Sequence, residues 1–244
     1  MATSLAMALK GCGRTPVAVW SRTLESATLL GGLVGCECTN EIEKLPDADI
    51  AIISVVDDAF ASVASAVAAR YPSSLIMHTA GSIPMSALCE AGASRYGVFY
   101  PMQTMSKNKI VPFDNVTIFV EGDDEPTTSF IERFAASMSS KVVRVTSQQR
   151  RYLHLAAVFA CNFPNAVYNM AAEILEKNGL PFDAMLPLID EAARKVHLMP
   201  PVEAQTGPAK RGDHNVMETH KSMLDDELAG IYQAISDYIM KKNR

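Results

Sequence analysis

The sequence predicts an α/β chain: a doubly wound parallel sheet followed by an all-helical segment. Three observations carry this. Residues 49–56, D-I-A-I-I-S-V-V, form a continuous β-branched run of the kind buried on both faces of a parallel sheet. Residues 16–23, P-V-A-V-W-S-R-T, read as a short strand entering a polar loop, preceded by a segment rich in Ala, Leu and Met. After residue 146 no strand pattern returns and helical periodicity holds to the end. The expected domains are therefore 1–146 and 147–244.

Leu5 and Leu9, four apart, put residues 2–9 in a helix that Gly11-Cys12-Gly13 stops. Residues 24–33 read as a second helix, ended by Gly31, Gly32 and Gly35, and 36–39 as a short strand. Asp57 and Asp58 open an Ala-rich helix reaching Arg70, with carboxylates at its positive end. Short strands are expected at 75–78, 98–100, 116–120 and 142–145, with helices at 84–90 and 125–138. Further on, 148–178 reads as one long helix kinked by Pro164. Residues 182–197 read as a helix interrupted at Pro187, and 205–213 as a turn-rich loop. Leu224, Leu228, Ile231, Ile235 and Ile239 draw one apolar stripe along a terminal helix.

An apolar content of 48% with 20% charged residues is ordinary globular composition. The net charge of −5 argues against a nucleic-acid surface, which needs clustered Lys and Arg. No apolar run approaches the about 20 residues of a membrane span, and the first residues lack the order of a signal peptide. A cytoplasmic protein is expected. The five cysteines are scattered, Cys36-Glu37-Cys38 has the wrong spacing for a zinc pair, and His214 and His220 lack metal-ligand spacing. They read as reduced thiols, with no metal site.

A helix, a glycine turn and a buried strand ending in a polar loop are the second half of a βαβ dinucleotide-binding, Rossmann-type unit. The end of its second strand reads the adenosine ribose. Units that prefer NAD place an acid there, whereas Ser21, Arg22 and Thr23 offer a guanidinium and two hydroxyls, suited to a 2′-phosphate. NADP is the expected cofactor. The bland alternative is an Arg22 that merely caps a solvated loop.

The other strand ends expected to face a ligand are 54–58, 79–82 and 100–104, in which Ser54, Ser82 and Gln103 could reach a nicotinamide or a substrate carbonyl and Val55 is a further cofactor-binding candidate. Each alone is more often a turn residue. In the helical half, His154 and Asn162 fall near one face and Asn165 joins Asn162. Two asparagines in the apolar C-N-F-P-N segment are costly to bury without partners, which points to a site, while His154 could equally be structural. Thr206, Lys210 and Arg211, in Q-T-G-P-A-K-R-G-D, suit a carboxylate or phosphate, against the commoner reading of a solvated loop. His220 is a candidate proton carrier.

The combination V-W-S-R-T, H-T-A-G-S, Y-P-M-Q-T, F-A-C-N-F-P-N and T-G-P-A-K-R-G-D resembles a bacterial family of uncharacterised Rossmann-like proteins with a family-specific C-terminal helical domain. That family is similar to prephenate dehydrogenase, pyrroline-5-carboxylate reductase and the β-hydroxyacid dehydrogenases. The resemblance spans essentially the whole chain. It implies a 6-phosphogluconate-dehydrogenase-like architecture, NADP on the first domain, a helical domain closing the cleft, and a homodimer. Prephenate dehydrogenases have a His-Pro pair where this chain has Tyr100-Pro101, and a Ser-His-Leu-Pro-His run where it has residues 161–165. The lysine that β-hydroxyacid dehydrogenases place one turn before an Asn is replaced by Val158. The acid–base chemistry of those relatives is therefore not implied.

Two readings compete. One is an NADP-dependent oxidoreductase acting on a small anionic metabolite in an interdomain cleft. Asn162, Gln103 and the 206–211 loop would hold the substrate, and His154 or His220 would carry the proton. The other is a non-catalytic NADP- or metabolite-binding dimer. A further expectation concerns the fingerprint G-x-G-x-x-G/A, which precedes the ribose-reading residue by roughly 20 residues. Counting back from Ser21 puts its last small residue near Ala2, so Met1 reads as an internal methionine of a longer chain. The sheet then lacks its central first strand, and this form should bind NADP poorly or fold badly.

Overall fold

In the computed structural model, which describes residues 1–106 and 109–243, helix and strand alternate through the first part of the chain. The order is α1 (Ala2–Gly11), β1 (Ala18–Trp20), α2 (Leu24–Val34), β2 (Glu37–Thr39), a 3-10 turn (Ile42–Lys44), β3 (Ile50–Ile53), α3 (Asp57–Arg70) and β4 (Leu75–His78). There follow α4 (Ser86–Glu90), β5 (Arg95–Met102), β6 (Thr117–Gly122), α5 (Glu125–Ala136), β7 (Val142–Arg144), α6 (Ser147–Ala157) and a π-helical turn (Val158–Asn162). Residues Met1–Asn162 form one compact unit and Phe163–Arg244 a second.

In the sheet of the first unit β4 is an interior strand, between β3 and β5. Its side chains alternate between faces, so Leu75 and Met77 join Leu5, Leu9, Phe99 and Ile131 in one core. Ile76 joins Phe60, Ala64, Val67 and Leu88 in the other. Burying each such side chain contributes about 1.5–3 kcal/mol. Strands β3-β4-β5-β6-β7 are hydrogen-bonded in that order, and all pairings are parallel except β5 with β6. That exception departs from the all-parallel sheet the sequence predicts. No helix is assigned among the described residues between β5 and β6, and antiparallel neighbours need no crossover helix.

The strands of the first unit fall into two sheets. β1 and β2 pair parallel as a separate two-stranded sheet. Between β1 and β3 lies a cavity of about 500 Å³, lined by Val19 and Trp20, by Ile50 and Ile52, and by Leu5 and Val67 on the flanking helices. This is why β3, whose sequence reads as buried on both faces, is only half-buried over most of its length, whereas β4 is buried throughout.

Several boundaries differ from expectation for identifiable reasons. α2 continues through Gly31 and Gly32 and stops only at Gly35, the residue that takes a left-handed φ of 83°. α6 begins where the strand pattern ends, on a capping box between Thr146 and Gln149. Nevertheless α6 belongs to the compact unit of the sheet rather than to the helices after it. The expected single helix over 148–178 is three pieces. The break is the π turn, and Pro164 is the second residue of α7 (Phe163–Lys177). A proline ring clashes with the carbonyl four residues back, here Ala160, and widening the preceding turn relieves that clash.

The second unit contains α7, a 3-10 turn (Phe182–Met185), α8 (Leu186–Leu198), α9 (Pro201–Ala204), α10 (Pro208–Arg211), α11 (His214–Ser222) and α12 (Asp226–Lys242). Pro187 starts α8 rather than interrupting it, since a proline in the first turn removes no helical hydrogen bond. The expected loop over 205–213 holds the one-turn α10, with Pro208 at its start and Gly212 closing it at φ 71°. Leu224 lies before α12, whose stripe is largely half-buried as the helix packs on α10 and α11, although Ile235 stays exposed. None of the residues of α7 or α8 is buried.

Candidate active site

Ligands of open α/β sheets sit outside the carboxyl ends of the strands, and in the first unit the ends of β3, β4 and β5 gather polar groups. Ser54, just after β3, accepts a hydrogen bond at Oγ from Thr79 Oγ1 at 3.1 Å. Ser82, in the turn after β4, donates to the carboxylate of Asp57, the first residue of α3. Tyr100, near the end of β5, shares a hydrogen bond with Nδ1 of His154 on α6 at 3.1 Å. Gly81 lies under that imidazole so closely that a Cβ there would sit 2.6 Å from His154 Nδ1. Only glycine permits this approach.

α6 is held in place by charge. Arg150, with none of its surface exposed, donates from Nη1 to Glu121 Oε2 of β6 at 2.6 Å and from Nη2 to the carbonyl of Ile83. Glu121 also accepts from the backbone N–H of Ser147 at 2.8 Å and from its hydroxyl at 2.7 Å, and Ser147 Oγ accepts from Met85 N at 3.0 Å. This lattice fixes the register of α6 against the turn after β4, and so the position of His154. Tyr100 itself is only 7% exposed. Burial raises its pKa, and the Arg150 guanidinium opposes that rise.

His78, at the end of β4, plays no such part. It is enclosed, stands edge-on to Phe60 with ring centroids 5.3 Å apart, and accepts at Nδ1 from Ala80 N at 3.2 Å. Burial first, and the Arg150 charge second, push its pKa down to about 3. It is a neutral brace for the 79–82 turn.

At the end of β1, Arg22 is exposed and makes no ion pair among the described residues. Ser21 is half-buried, its N–H bonded to Thr39 O. Thr23 is the N-cap of α2: its Oγ1 accepts from Ser26 N at 3.3 Å and donates to Ser26 Oγ at 2.9 Å. That engagement replaces the free hydroxyl expected there. Ala2 opens α1, whose first turn has no side-chain cap, and lines the cavity between β1 and β3 together with Ser54 and Val55. Gln103 is exposed, and its Oε1 accepts from Thr104 N at 2.8 Å.

Asn162 and Asn165 are both exposed, so the cost of burying them, which singled them out, does not arise. The π turn also takes Asn162 out of simple helical phase with His154. In the second unit Thr206 is exposed, Lys210 Nζ donates to Glu203 O at 3.4 Å, and Arg211 pairs with Asp213 at 2.9 Å. The expected pair of free cations is therefore reduced to one. His220 shares a hydrogen bond with Tyr232 Oη at 3.0 Å within the same unit.

The strand-end stretches 54–58, 79–82 and 100–104 contain Asp57, Thr79, Gly81 and Tyr100, but sequence reasoning singled out none of these four, and it missed Arg150 altogether. Asp57 reads from sequence as a helix-start charge. Only the placement of Thr79, Gly81 and Tyr100 in strand-end motifs was available as a signal.

The family described as Domain of unknown function (DUF2520) matches residues 116–239. The chain is similar to a Bacteroides fragilis protein provisionally named as an NADP oxidoreductase, at 45% identity and a TM-score of 0.92, over 98% of this chain and 94% of that one. It is also similar to the reductive aminase of Aspergillus terreus solved with NADPH and ethyl-5-oxohexanoate, at 17% identity and a TM-score of 0.72, over 100% and 91% of the two chains. Prephenate dehydrogenase from A. aeolicus, solved with hydroxyphenyl propionate and NAD+, is 14% identical with a TM-score of 0.58, over 99% and 81%. These last two likenesses bear on the fold alone. No curated protein matches the chain.

Proposed function

This chain belongs to the DUF2520 family, and on that premise we propose that it is an NADP-dependent oxidoreductase acting on a small, anionic metabolite. The observation that carries this reading is the gathering of Ser54–Thr79, Asp57–Ser82 and Tyr100–His154 at the carboxyl ends of neighbouring strands. A dinucleotide-binding sheet presents its ligand to those ends.

The residues suit the cofactor. Arg22, with its guanidinium unpaired among the described residues, and Ser21 would hold the 2′-phosphate. The uncapped first turn of α1 at Ala2 would offer N–H groups to the pyrophosphate. Val55, Ser54 and Ser82 would line the nicotinamide half. When bound, the nicotinamide supplies or accepts a hydride. Gln103 and Asn162 would orient the substrate, and His154 would carry the proton. In the helical unit Asn165, Thr206 and Lys210 remain candidates for an anionic group. Arg211 would first have to leave Asp213, an exposed pair that costs little to break. His220, tied to Tyr232, is a second candidate proton carrier.

The exposed apolar side chains of α7 and α8 support a homodimer. No helix among the described residues is long and apolar enough to cross a membrane. The test of function is to mix purified protein with NADPH and a panel of keto acids and imines. Turnover of any member supports the oxidoreductase. Tight NADPH binding without turnover supports the non-catalytic alternative, and no binding removes both.

A further inference from the structure

We propose that Tyr100 is a positioning residue that holds His154 as the Nε2–H tautomer and feeds a proton to its Nδ1. The proposal rests on the reading of this site as an oxidoreductase centre only for its consequence, not for its geometry.

Two arrangements fit the 3.1 Å contact between Tyr100 Oη and His154 Nδ1: the phenol donates to a bare Nδ1, or Nδ1–H donates to the phenol oxygen. They differ in what they leave unpaired. Tyr100 is buried, and its hydroxyl has no other hydrogen bond among the described residues. If Nδ1 carried the proton, the phenol O–H would be buried without an acceptor, which costs about 1–3 kcal/mol. If the phenol donates, both atoms are satisfied, and the one remaining imidazole proton must sit on Nε2. His154 is half-buried, so Nε2 can meet water or a ligand without that cost. Burial also keeps the phenol protonated, as its role of donor requires.

Three features hold the ring at this contact. Gly81 packs against its Nδ1 edge, Tyr100 meets it edge-on with centroids 6.1 Å apart, and the Arg150–Glu121 pair fixes the helix behind it. As a carbonyl or imine carbon gains a hydride, the Nε2 proton passes to its oxygen or nitrogen. The Tyr100 proton moves to Nδ1 in the same step, so that no imidazolate forms. Burial disfavours the phenolate that this leaves and the Arg150 guanidinium offsets part of that cost, so the charge is short-lived and water returns the proton.

The test uses the full chain labelled with ¹⁵N-histidine and two-bond ¹H–¹⁵N correlation spectra above the histidine titration range. The His154 signals are assigned by their loss in His154→Gln. The expected result is an Nε2–H pattern in the wild type and the mixed tautomers of free histidine in Tyr100→Phe. Gly81→Ala, which keeps the phenol but displaces the ring, should give the same mixture, and it decides the matter if Tyr100→Phe does not fold. An Nδ1–H pattern in the wild type, or a pattern untouched by both variants, overturns the proposal. With any keto acid or imine that is turned over, Tyr100→Phe should lower kcat by about 10²-fold at constant KM, the lower range for general acid–base assistance. Absence of turnover in the wild type would count against the oxidoreductase reading while leaving the tautomer result to stand by itself.

Discussion

Arg150 of α6 and Glu121 of β6 meet at 2.6 Å with the guanidinium wholly enclosed and the carboxylate 16% exposed. The two partners are not equivalent. Glu121 keeps two hydrogen bonds from Ser147 when the arginine is removed, whereas Arg150 loses its one counter-charge when the glutamate is removed. Glu121→Leu should therefore cost about 3–5 kcal/mol, the range for stranding a buried charge, and Arg150→Met should cost less. Urea denaturation of both variants checks the order, and an equal or reversed cost would show that Arg150 is not held chiefly by this pair.

His78 makes stability depend on pH. Its folded pKa of about 3 lies below the ordinary value of 6.5, so between these limits the unfolded chain binds a proton that the folded chain refuses. Stability from this group is complete above pH 6.5 and falls as the pH drops towards 3, by at most about 1.4 kcal/mol per pH unit. His78→Gln should flatten the urea midpoint between pH 6.5 and 5, relative to wild type, even if it lowers stability throughout. Parallel pH profiles for the two proteins would refute the assignment.

The elements that could be read from sequence are those whose signal is local. The β4 strand, 75–78, is a short apolar run closed by His78 and came out with its bounds intact, and the helix from Asp57 to Arg70 announced itself by charge at each end. The site was legible only in part. His154 and Tyr100 are 54 residues apart and acquire their relation through β5 and α6, which no spacing rule encodes. The burial that the apolar neighbours of Asn162 suggested is not found, since the π turn before Pro164 lies at the surface or nearly so, and the burial argument for that residue falls away.

Arg22 should decide between the two nicotinamide dinucleotides. It stands exposed after β1 with no carboxylate holding it among the described residues. A hydrogen bond to a charged group contributes about 1.5–3 kcal/mol, so Arg22→Asp should lower the ratio of NADPH to NADH affinity by about tenfold or more. Calorimetric titration with each dinucleotide measures this. An unchanged ratio would take the loop out of the cofactor site.

The second unit makes the remaining prediction. Leu186, Leu188, Val196 and Leu198 of α8, with Val167 and Ile174 of α7, all expose more than a third of their surface, and no residue of either helix is buried. Amphipathic helices are stabilised mainly by packing an apolar face rather than by propensity, so two such helices with no buried residue are poorly supported as they stand. A stable interface removes about 1,200–2,000 Å² from water, and a second copy of this chain could provide the opposing face by symmetry. Light scattering at micromolar concentration should give twice the chain mass. Leu188→Glu, placed at a side chain 68% exposed and therefore tolerable in an isolated chain, should shift the mass towards the monomer without lowering the far-UV helical signal. A monomeric wild type, or a dimer indifferent to Leu188→Glu and to Val167→Glu alike, would mean that these faces are covered in some other way.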